Sequence, residues 1–247
     1  MSPVPLAKPP WTGLGKRLES MVRKALYDHR MLEGVDNLAV ALSGGKDSLS
    51  MLFLLHAIAG KGFPDISLHA IHVHGTFSCG AGVNVNELKT ICDALEINLI
   101  TKTTEQSKKH LACYSCSRTR RSLLFEAAKQ VDATTIAFGH HRDDHAQTVL
   151  MNLLHKAEFA GMLPKLKMET FGVTLIRPLI YITEKELQRF AEANHFAKIV
   201  CRCPVGQHSY RKKVDDLLKE IEVLYPHARQ NIARAGHLYG SDKARRP

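Results

Sequence analysis

Residues 38–55, Leu-Ala-Val-Ala-Leu-Ser-Gly-Gly-Lys-Asp-Ser-Leu-Ser-Met-Leu-Phe-Leu-Leu, decide the fold. An apolar run typical of a buried strand is followed by a glycine turn and then by an apolar run of helical length. Gly44 and Gly45 let the backbone approach an anion closely. Ser43, Ser48 and the free N–H groups of the helix start supply hydrogen-bond donors. The stretch therefore predicts a phosphate-binding loop at a strand-to-helix junction.

The residue after the lysine of this loop disfavours one common class of ATPase. In the loop of NTPases that cleave the γ-phosphate, a magnesium-binding hydroxyl follows the lysine, whereas here Asp47 follows Lys46. The string instead resembles the PP-loop of the ATP pyrophosphatases, which cleave ATP between the α- and β-phosphates and adenylate a carbonyl oxygen. The resemblance implies a set of nucleotide-binding residues in this loop: Ser43, Gly44, Gly45, Lys46, Asp47 and Ser48.

Composition and charge limit the kinds of protein that this chain can be. At 247 residues, of which 45% are hydrophobic, the chain can bury one main core. A net charge of +10 indicates a polyanionic partner, for which RNA is the natural candidate, although a merely solvated basic surface is the alternative. The N-terminus has no apolar signal region and residues 51–59 are too few to span a bilayer, so we expect a cytoplasmic protein. In that compartment the six cysteines favour metal binding or catalysis over disulfides.

Short apolar runs alternate with helical patterns from residue 35 onward. This alternation predicts an α/β fold with a doubly wound, mostly parallel sheet of about five strands. Such sheets bind ligands at the carboxyl ends of their strands, near the point where the strand order reverses. Strands are predicted at 38–42, 68–73, 97–101, 135–139 and 173–179.

The two ends of the chain are predicted to be helical and basic. Residues 15–32 have apolar residues at helical spacing among arginines and lysines, and this helix could touch RNA or cap the sheet. Thr183-Glu-Lys-Glu186 is a capping box that starts a helix to about residue 194, and 207–224 is also predicted to be helical. We expect an N-terminal arm and basic helix at 1–34, a PP-loop domain at 35–200, and a cysteine-containing basic helical extension at 201–247.

A second polar motif follows the fourth predicted strand. Residues 137–150 carry Gly139-His-His-Arg-Asp-Asp144 and then an amphipathic helix, so His140 to Asp144 should project over the strand ends toward the nucleotide. Asp143 and Asp144 could simply cap this helix. With Asp47, they could also hold a magnesium ion against the phosphates, and the sequence does not distinguish which of the three carboxylates binds it.

The cysteines fall into two close pairs and two isolated residues. Cys113-Tyr-Ser-Cys116 precedes a helix predicted at 117–130, where the helix dipole with Arg118, Arg120 and Arg121 should depress thiolate pKa values. Cys201-Arg-Cys203 lies far downstream, so three or four thiolates could gather around zinc or an iron–sulfur cluster. Cys79 and Cys92 have no paired spacing and are assigned to packing.

Three histidines lie along the second predicted strand. We expect His69, His72 and His74 to face one side of it, as ordinary strand residues near the adenine pocket rather than as metal ligands.

Taken together, these motifs resemble the tRNA 2-thiocytidine synthetase family, iron–sulfur-dependent PP-loop enzymes that replace the C2 oxygen of cytidine 32 in tRNA with sulfur. The resemblance covers most of the chain and implies an adenine nucleotide α-hydrolase-like fold with ATP, Mg²⁺ and a 4Fe-4S cluster as cofactors. It rests on the PP-loop, the first cysteine pair with its arginines, the motif at 139–144, Gly161-Met-Leu-Pro-Lys165 and Ile176-Arg-Pro-Leu179.

The resemblance also implies roles for particular residues. Lys46, Asp47 and Asp143 would be catalytic, and Gly139 and His140 would join the PP-loop in binding the nucleotide. Three cysteines hold the cluster in this family; Cys113 and Cys116 match two of them, and Cys203 is favoured over Cys201 as the third. The residues expected to bind tRNA phosphates are Arg118, Arg120, Arg121, Arg211 and Lys212. The other expected partner is a sulfur donor such as a cysteine desulfurase, and a homodimer is one of the states that the sequence allows.

The sequence departs from the family pattern at two places. The downstream cysteines are rearranged by one residue, and His72-Val-His74-Gly-Thr replaces an acidic residue that often follows the second strand. Two rival functions stay open: thiolation of a tRNA uridine by a related PP-loop enzyme, and a non-catalytic zinc- and RNA-binding protein. The cysteines argue against a third, lysidine synthesis.

Overall fold

A computed structural model describes residues 5–75, 83–104, 113–196 and 210–241 of the chain. Its centre is a six-stranded sheet in the order β3-β2-β1-β4-β6-β5, in which β5 alone runs antiparallel to its neighbour. The doubly wound, mostly parallel α/β fold is therefore confirmed. The strands are β1 Asn37–Ala41, β2 Ser67–His74, β3 Asn98–Thr103, β4 Thr135–Ala137, β5 Lys165–Met168 and β6 Val173–Ile176.

The sheet has one strand more than the sequence predicted. β5 is a four-residue edge strand with half-buried or exposed side chains, so it lacks the apolar run by which the other five were recognised. β6 ends at Ile176, earlier than predicted, because Pro178 follows Arg177 and has no N–H to donate to a neighbouring strand.

The strands alternate between two apolar layers, as their period of two requires. Leu38 and Val40 of β1 belong to the cluster that packs against α1, α2, α3 and α6. Ala39 belongs to the cluster on the opposite face, which includes α4. The described helices are α1 Gly13–Asp28, α2 Lys46–Ile58, α3 Val85–Ala94, α4 Cys113–Lys129, α5 Arg142–Lys156, α6 Glu184–Ala193, α7 Tyr210–Leu224 and α8 Ala228–Tyr239.

The two ends of the described chain pack on this core in different places. The apolar face of α1, with Leu18, Val22 and Leu26, is buried in the first layer, so this basic helix covers α2 and α6. Helices α7 and α8 pack on α5 instead. None of the described helices has the length and apolarity needed to cross a membrane.

The strand order identifies the edge at which a ligand would bind. β1 pairs with β2 on one side and with β4 on the other, so the order of strand addition reverses between β1 and β4. Loops that follow these two strands flank a crevice at the carboxyl ends, the usual ligand site of such sheets. One of these loops is the predicted PP-loop, and the other carries His140 and His141.

Candidate active site at the carboxyl ends of the strands

The loop between β1 and α2 is held by a short chain of hydroxyl hydrogen bonds. The Oγ of Ser43 accepts the Gly45 N–H at 3.3 Å and lies 3.0 Å from the Oγ of Ser48, which donates to the Gly45 carbonyl at 3.0 Å. Gly44 has φ +83°, and a Cβ there would lie 2.6 Å from a methyl of Val83. The loop therefore requires glycine at this position.

The first turn of α2 is left open toward the crevice. Gly45 is the N-cap residue, and no side chain makes a capping hydrogen bond to this helix start. Unpaired N–H groups and the positive end of the helix dipole favour an anion there. This is the geometry that a phosphate-binding loop needs.

Lys46 lies between two carboxylates at this helix start. Its Nζ is 3.1 Å from Asp47 Oδ1 and 3.3 Å from Glu184 Oε1 at the start of α6. Burial lowers the pKa of Lys46, but the two carboxylates outweigh it and raise that pKa overall. Burial also dominates at Asp47, raising its pKa despite the opposing effects of His141 and Lys46. The ammonium is thus kept charged beside a carboxyl group that is costly to ionise.

The loop after β4 touches the first turn of α2. A Cβ on Gly139 would lie 3.2 Å from the backbone nitrogen of Ser48, tighter than ordinary van der Waals contact. The contact places the motif at 139–144 against the PP-loop, as the sequence predicted. The neighbouring His140 stacks on Phe138 with 5.7 Å between ring centroids, and burial lowers its pKa to about 4.

Asp144 is used within the protein. Its Oδ2 accepts the His141 N–H at 3.1 Å while its own N–H donates to His141 Nδ1 at 3.4 Å, which makes a capping box at the start of α5. Its Oδ1 pairs with Arg211 Nη1 at 3.1 Å. Burial alone would raise the pKa of Asp144. The two histidines beside it and Arg211 have the larger, opposite effect, so the pKa of Asp144 is lowered overall. Capping, one of the two roles considered, therefore accounts for this carboxylate.

One carboxylate oxygen of Asp143 has no hydrogen-bond partner. Its Oδ2 accepts the backbone N–H of Glu184 at 2.8 Å, which joins the starts of α5 and α6. Its Oδ1 is buried and accepts no hydrogen bond, with Arg142 Nε 3.5 Å away. Asp47 Oδ1 is likewise buried and, apart from the Lys46 ion pair, lacks a hydrogen-bond partner. Asp47 and Asp143 thus fit a cation better than Asp144 does, although no three such side chains among the described residues stand arranged as a closed metal site.

Helix α4 begins at Cys113, so the first cysteine pair lies inside the helix and not before it as predicted. Cys113 and Cys116 are three residues apart on one helical turn, which places them on the same face. Cys116 is a half-buried free thiol. The side chain of Cys113 and all of Cys79, Cys201 and Cys203 lie outside the described part of the structure, so the choice of third ligand stays a prediction.

The predicted tRNA-binding arginines extend from this cysteine turn. Arg118 and Arg121 are exposed, and Arg120 donates from Nη2 to the carbonyl of Val73 at the end of β2. This bond places the start of α4 at the same edge of the sheet as the PP-loop. On α7, Lys212 pairs with Asp216 at 2.5 Å.

The expectation that three histidines share one face of β2 is wrong. His72 and His74 stack with 6.0 Å between centroids, and His72 donates from Nδ1 to the Leu42 carbonyl at 2.7 Å. His69 is an odd number of residues away, so it lies on the other face, near Asn37. His72 therefore supports the residue that precedes the PP-loop. Cys92, as expected, is buried in the core, and burial raises its pKa to about 11.

Comparisons with known proteins agree with this arrangement. The profile of the PP-loop domain family matches residues 15–199. A tRNA-cytidine(32) 2-sulfurtransferase of Xylella fastidiosa (strain M12) is 35% identical over 90% of this chain and 76% of its own length. Another, of Pectobacterium carotovorum subsp. carotovorum (strain PC1), is 34% identical over 86% and 70%. The chain belongs to the tRNA 2-thiocytidine synthetase family of PP-loop enzymes.

A solved structure extends this family assignment to the fold. The U34-tRNA thiolase NcsA from Methanococcus maripaludis, with its 4Fe-4S cluster, is similar to this family member with a TM-score of 0.73 and 26% identity. The similarity covers 90% of this chain and 78% of that one. An NMN synthetase from Francisella tularensis shares the fold alone, at a TM-score of 0.50 and 14% identity.

Two buried or ion-paired residues after β6 were not among the residues predicted for the site of this thiocytidine synthetase family member. Glu184 was interpreted only as part of a capping box, and Arg177 only as part of a family motif. Arg177 is 8% exposed and donates to the Leu163 carbonyl, and burial with nearby Arg121 lowers its pKa to about 10. Arg177 directly follows the last parallel strand and Glu184 begins the helix after it, and ligand-binding residues gather beyond the carboxyl ends of such strands.

Proposed function

We propose that this protein thiolates tRNA: it activates the C2 oxygen of cytidine 32 with ATP and replaces it by sulfur, giving 2-thiocytidine. The observation that carries the proposal is that the open start of α2 and the cysteine turn of α4 lie at the same edge of the sheet. Membership of the family supports the same reaction and substrate.

The C2 oxygen of cytidine is a poor leaving group, so it must be activated before sulfur can replace it. The C2 oxygen attacks the α-phosphate of ATP, the bond to the bridging oxygen of the β-phosphate breaks, and pyrophosphate departs. Sulfide then adds at C2 and the C2–O bond breaks, so AMP leaves. Lys46 and the free N–H groups of α2 would stabilise the negative charge on the phosphates as it develops.

A divalent cation fits the carboxylates beside this loop. Asp47 and Asp143 each bury an oxygen that accepts no hydrogen bond, and hard cations such as Mg²⁺ prefer carboxylate and phosphate oxygens. Bound Mg²⁺ would neutralise phosphate charge. His140 and Gly139 line the crevice on the same side and would contact the nucleotide.

The cysteine turn fits a metal–sulfur group. Cys113 and Cys116 share the first turn of α4, where the helix dipole favours thiolates. We propose that both hold a 4Fe-4S cluster with Cys203, or Cys201, as the third ligand. A cluster with three protein ligands has one iron free to carry exogenous sulfur. The donor of that sulfur would be a cysteine desulfurase or a similar protein.

The tRNA surface would run from α4 to α7. Arg118, Arg120 and Arg121 follow the cysteine turn, while Arg211 and Lys212 open α7, and together with the net charge of +10 they suit tRNA phosphates. Arg211 would exchange Asp144 for phosphate, and the target base would leave its stack to reach the crevice. We keep 1–34, 35–200 and 201–247 as the proposed arm, catalytic domain and extension.

Thiolation of a uridine is the second candidate, because the similar solved structure is a U34-tRNA thiolase. Anaerobically reconstituted protein should be incubated with unmodified tRNA, ATP, Mg²⁺ and sulfide, and the digested nucleosides analysed by mass spectrometry. We expect 2-thiocytidine. Thiouridine would replace the substrate assignment, and a cluster-loaded protein that forms no thionucleoside would contradict the proposed function.

A matched pair of cysteine variants tests the cluster. Cys116→Ala should lose iron and sulfide together with thiolation, while keeping its circular dichroism spectrum. Cys92→Ala, which alters a thiol buried in the core, should retain the iron. A brown Cys116→Ala protein with full iron content would show that this thiol is not a ligand.

A further inference from the structure

Glu184 contacts both halves of the nucleotide site, although it is only the first residue of α6. Its carboxylate lies 3.3 Å from Lys46 Nζ, and its backbone N–H donates to Asp143 Oδ2 at 2.8 Å. The capping box of Thr183 and Glu186 fixes the helix start from which Glu184 extends. A half-exposed ion pair contributes little to stability, so the contact calls for another explanation.

The position of Lys46 suggests one. Its ammonium lies between the carboxylates of Asp47 and Glu184, where a cation is favoured. Asp143, which is 6% exposed, adds a buried oxygen without a hydrogen bond. A buried carboxylate oxygen with no donor is costly unless a ligand satisfies it. A triphosphate in the crevice would compete for Lys46 and release the carboxylates of Asp47 and Glu184 from that ion pair.

We propose that Glu184 is a ligand of the divalent cation that accompanies ATP, and that the Lys46 ammonium takes the place of that cation until the triphosphate binds. The proposal rests on the proposed function for its nucleotide. Because no three acidic, histidine or cysteine side chains among the described residues form a closed metal site, the phosphates would complete the coordination of the cation. The proposal also predicts an order, in which the nucleotide binds before the cation binds tightly.

The test uses Mn²⁺ as the cation and the α,β-methylene analogue of ATP, which the enzyme cannot cleave. Mn²⁺ binding to the full-length protein is titrated by electron paramagnetic resonance with the analogue present. Analogue binding is measured separately by calorimetry in EDTA. Glu184→Gln is compared with Glu192→Gln, which makes the same charge change on α6 at a side chain that accepts a hydrogen bond from Gln188 and lies away from Lys46.

Glu184→Gln should weaken Mn²⁺ binding to the protein–analogue complex about tenfold or more, as loss of one ligand or its support does. The same variant should bind the analogue more tightly in EDTA, because Lys46 is released. Glu192→Gln should match the wild type in both. If only the EDTA measurement changes, Glu184 merely restrains Lys46 and the proposal is wrong; it is equally wrong if neither changes.

A second variant guards against a folding defect. Glu184→Asp keeps the charge and the capping box, and its Mn²⁺ affinity should lie between those of the wild type and Glu184→Gln. An affinity equal to that of the glutamine variant would contradict a ligand role. Neither measurement needs tRNA or a cluster, so failure here leaves thiolation standing, and a wild type that binds no analogue would instead contradict the proposed function.

Discussion

Helices α2 and α5 begin side by side at the same edge of the sheet, but the N–H groups of their first turns are capped differently. The start of α2 has a glycine N-cap and no side-chain capping bond. The start of α5 is closed by the reciprocal bonds of His141 and Asp144, and α6 by those of Thr183 and Glu186. An open helix start can accept an anion, whereas a closed one only positions its side chains.

The contrast separates two kinds of role in one crevice. In the proposed function, phosphate binding falls to α2, where Lys46 lies beside the uncapped helix start. The closed helices α5 and α6 present carboxylates, Asp143 and Glu184, at fixed places next to it. Substitutions at the open start should therefore change catalysis and nucleotide binding, whereas loss of a capping bond at a closed start should mainly change stability.

The largest effect is expected from removing the charge at the open start. Lys46→Met should lower kcat/KM for tRNA thiolation at least about 100-fold, because a preorganised donor to the developing charge is lost. Steady-state thiolation rates measure it. Lys89→Met, on α3 in an exposed pair with Asp93, should stay within about twofold of the wild type. Near-normal activity of Lys46→Met would contradict a catalytic role for the lysine at the start of α2.

A smaller effect is expected where the two loops touch. Gly139→Ala should weaken binding of the ATP analogue about tenfold, because its Cβ would crowd the backbone at Ser48 and displace the phosphate-binding turn. Calorimetry measures the dissociation constant. Gly13→Ala, where nothing lies within 4 Å of the new Cβ, is the control and should bind normally. Equal affinities for both variants would mean that the loops can separate freely.

Acid should weaken the α5 side of the site through two stacked histidines. His145 on α5 and His237 on α8 stack with 3.9 Å between centroids, and burial lowers the pKa of each to about 4. Arg177 lowers the pKa of His145 further, and His145 and then His29 do the same for His237. Because these folded pKa values lie below the unfolded value of 6.5, the stabilisation is complete above pH 6.5 and is lost as the pH falls toward 4.

From pH 7 to pH 5.5, the free energy of unfolding should therefore fall by about 1 kcal/mol for each of these two histidines. Urea denaturation at the two pH values measures it. His237→Phe keeps a flat ring on His145 and should reduce this fall, whereas His155→Gln, at an exposed position, should not. An unchanged fall in the phenylalanine variant would assign the pH dependence to other groups.

The smallest effect is expected at a closed start. Thr183→Ala should lower the free energy of unfolding by about 1 kcal/mol, because its Oγ1 accepts the Glu186 N–H at 3.0 Å. The matched control is Thr12→Ala, since Thr12 is the N-cap of α1 but makes no capping bond. Its cost should be a few tenths of a kcal/mol at most. Equal losses at both positions would show that the bond itself contributes nothing.

Features set by neighbouring residues could be predicted from the sequence. The strand, glycine turn and helix of the PP-loop are contiguous, and so is the Thr183 capping box, so local pattern suffices for both. The helix after the first cysteine pair was predicted to start at 117, four residues later than it does. In the structure Ser117 lies within α4 and its carbonyl accepts from Arg121.

Contacts between distant parts of the chain could not be predicted in this way. Lys46 and Glu184 are 138 residues apart in sequence and meet only because α6 follows β6 at the same edge as α2. Asp143 and Asp144 looked equivalent, and only the fold shows that Arg211 and the capping box occupy one while the other keeps a free oxygen. The edge strand β5 carried too few apolar residues to be recognised.

The most direct test of the account is the fate of ATP at the open start of α2. Reconstituted protein should be incubated with unmodified tRNA, sulfide and ATP labelled in the α-phosphate. The labelled nucleotides are then separated and quantified, pyrophosphate is assayed separately, and the thionucleoside formed in the same reaction is measured. The account predicts one AMP, with one pyrophosphate, for each thionucleoside formed, and formation of both at least about 100-fold more slowly by Lys46→Met. Release of ADP and inorganic phosphate would contradict it, because the γ-phosphate rather than the α-phosphate would then be the site of attack.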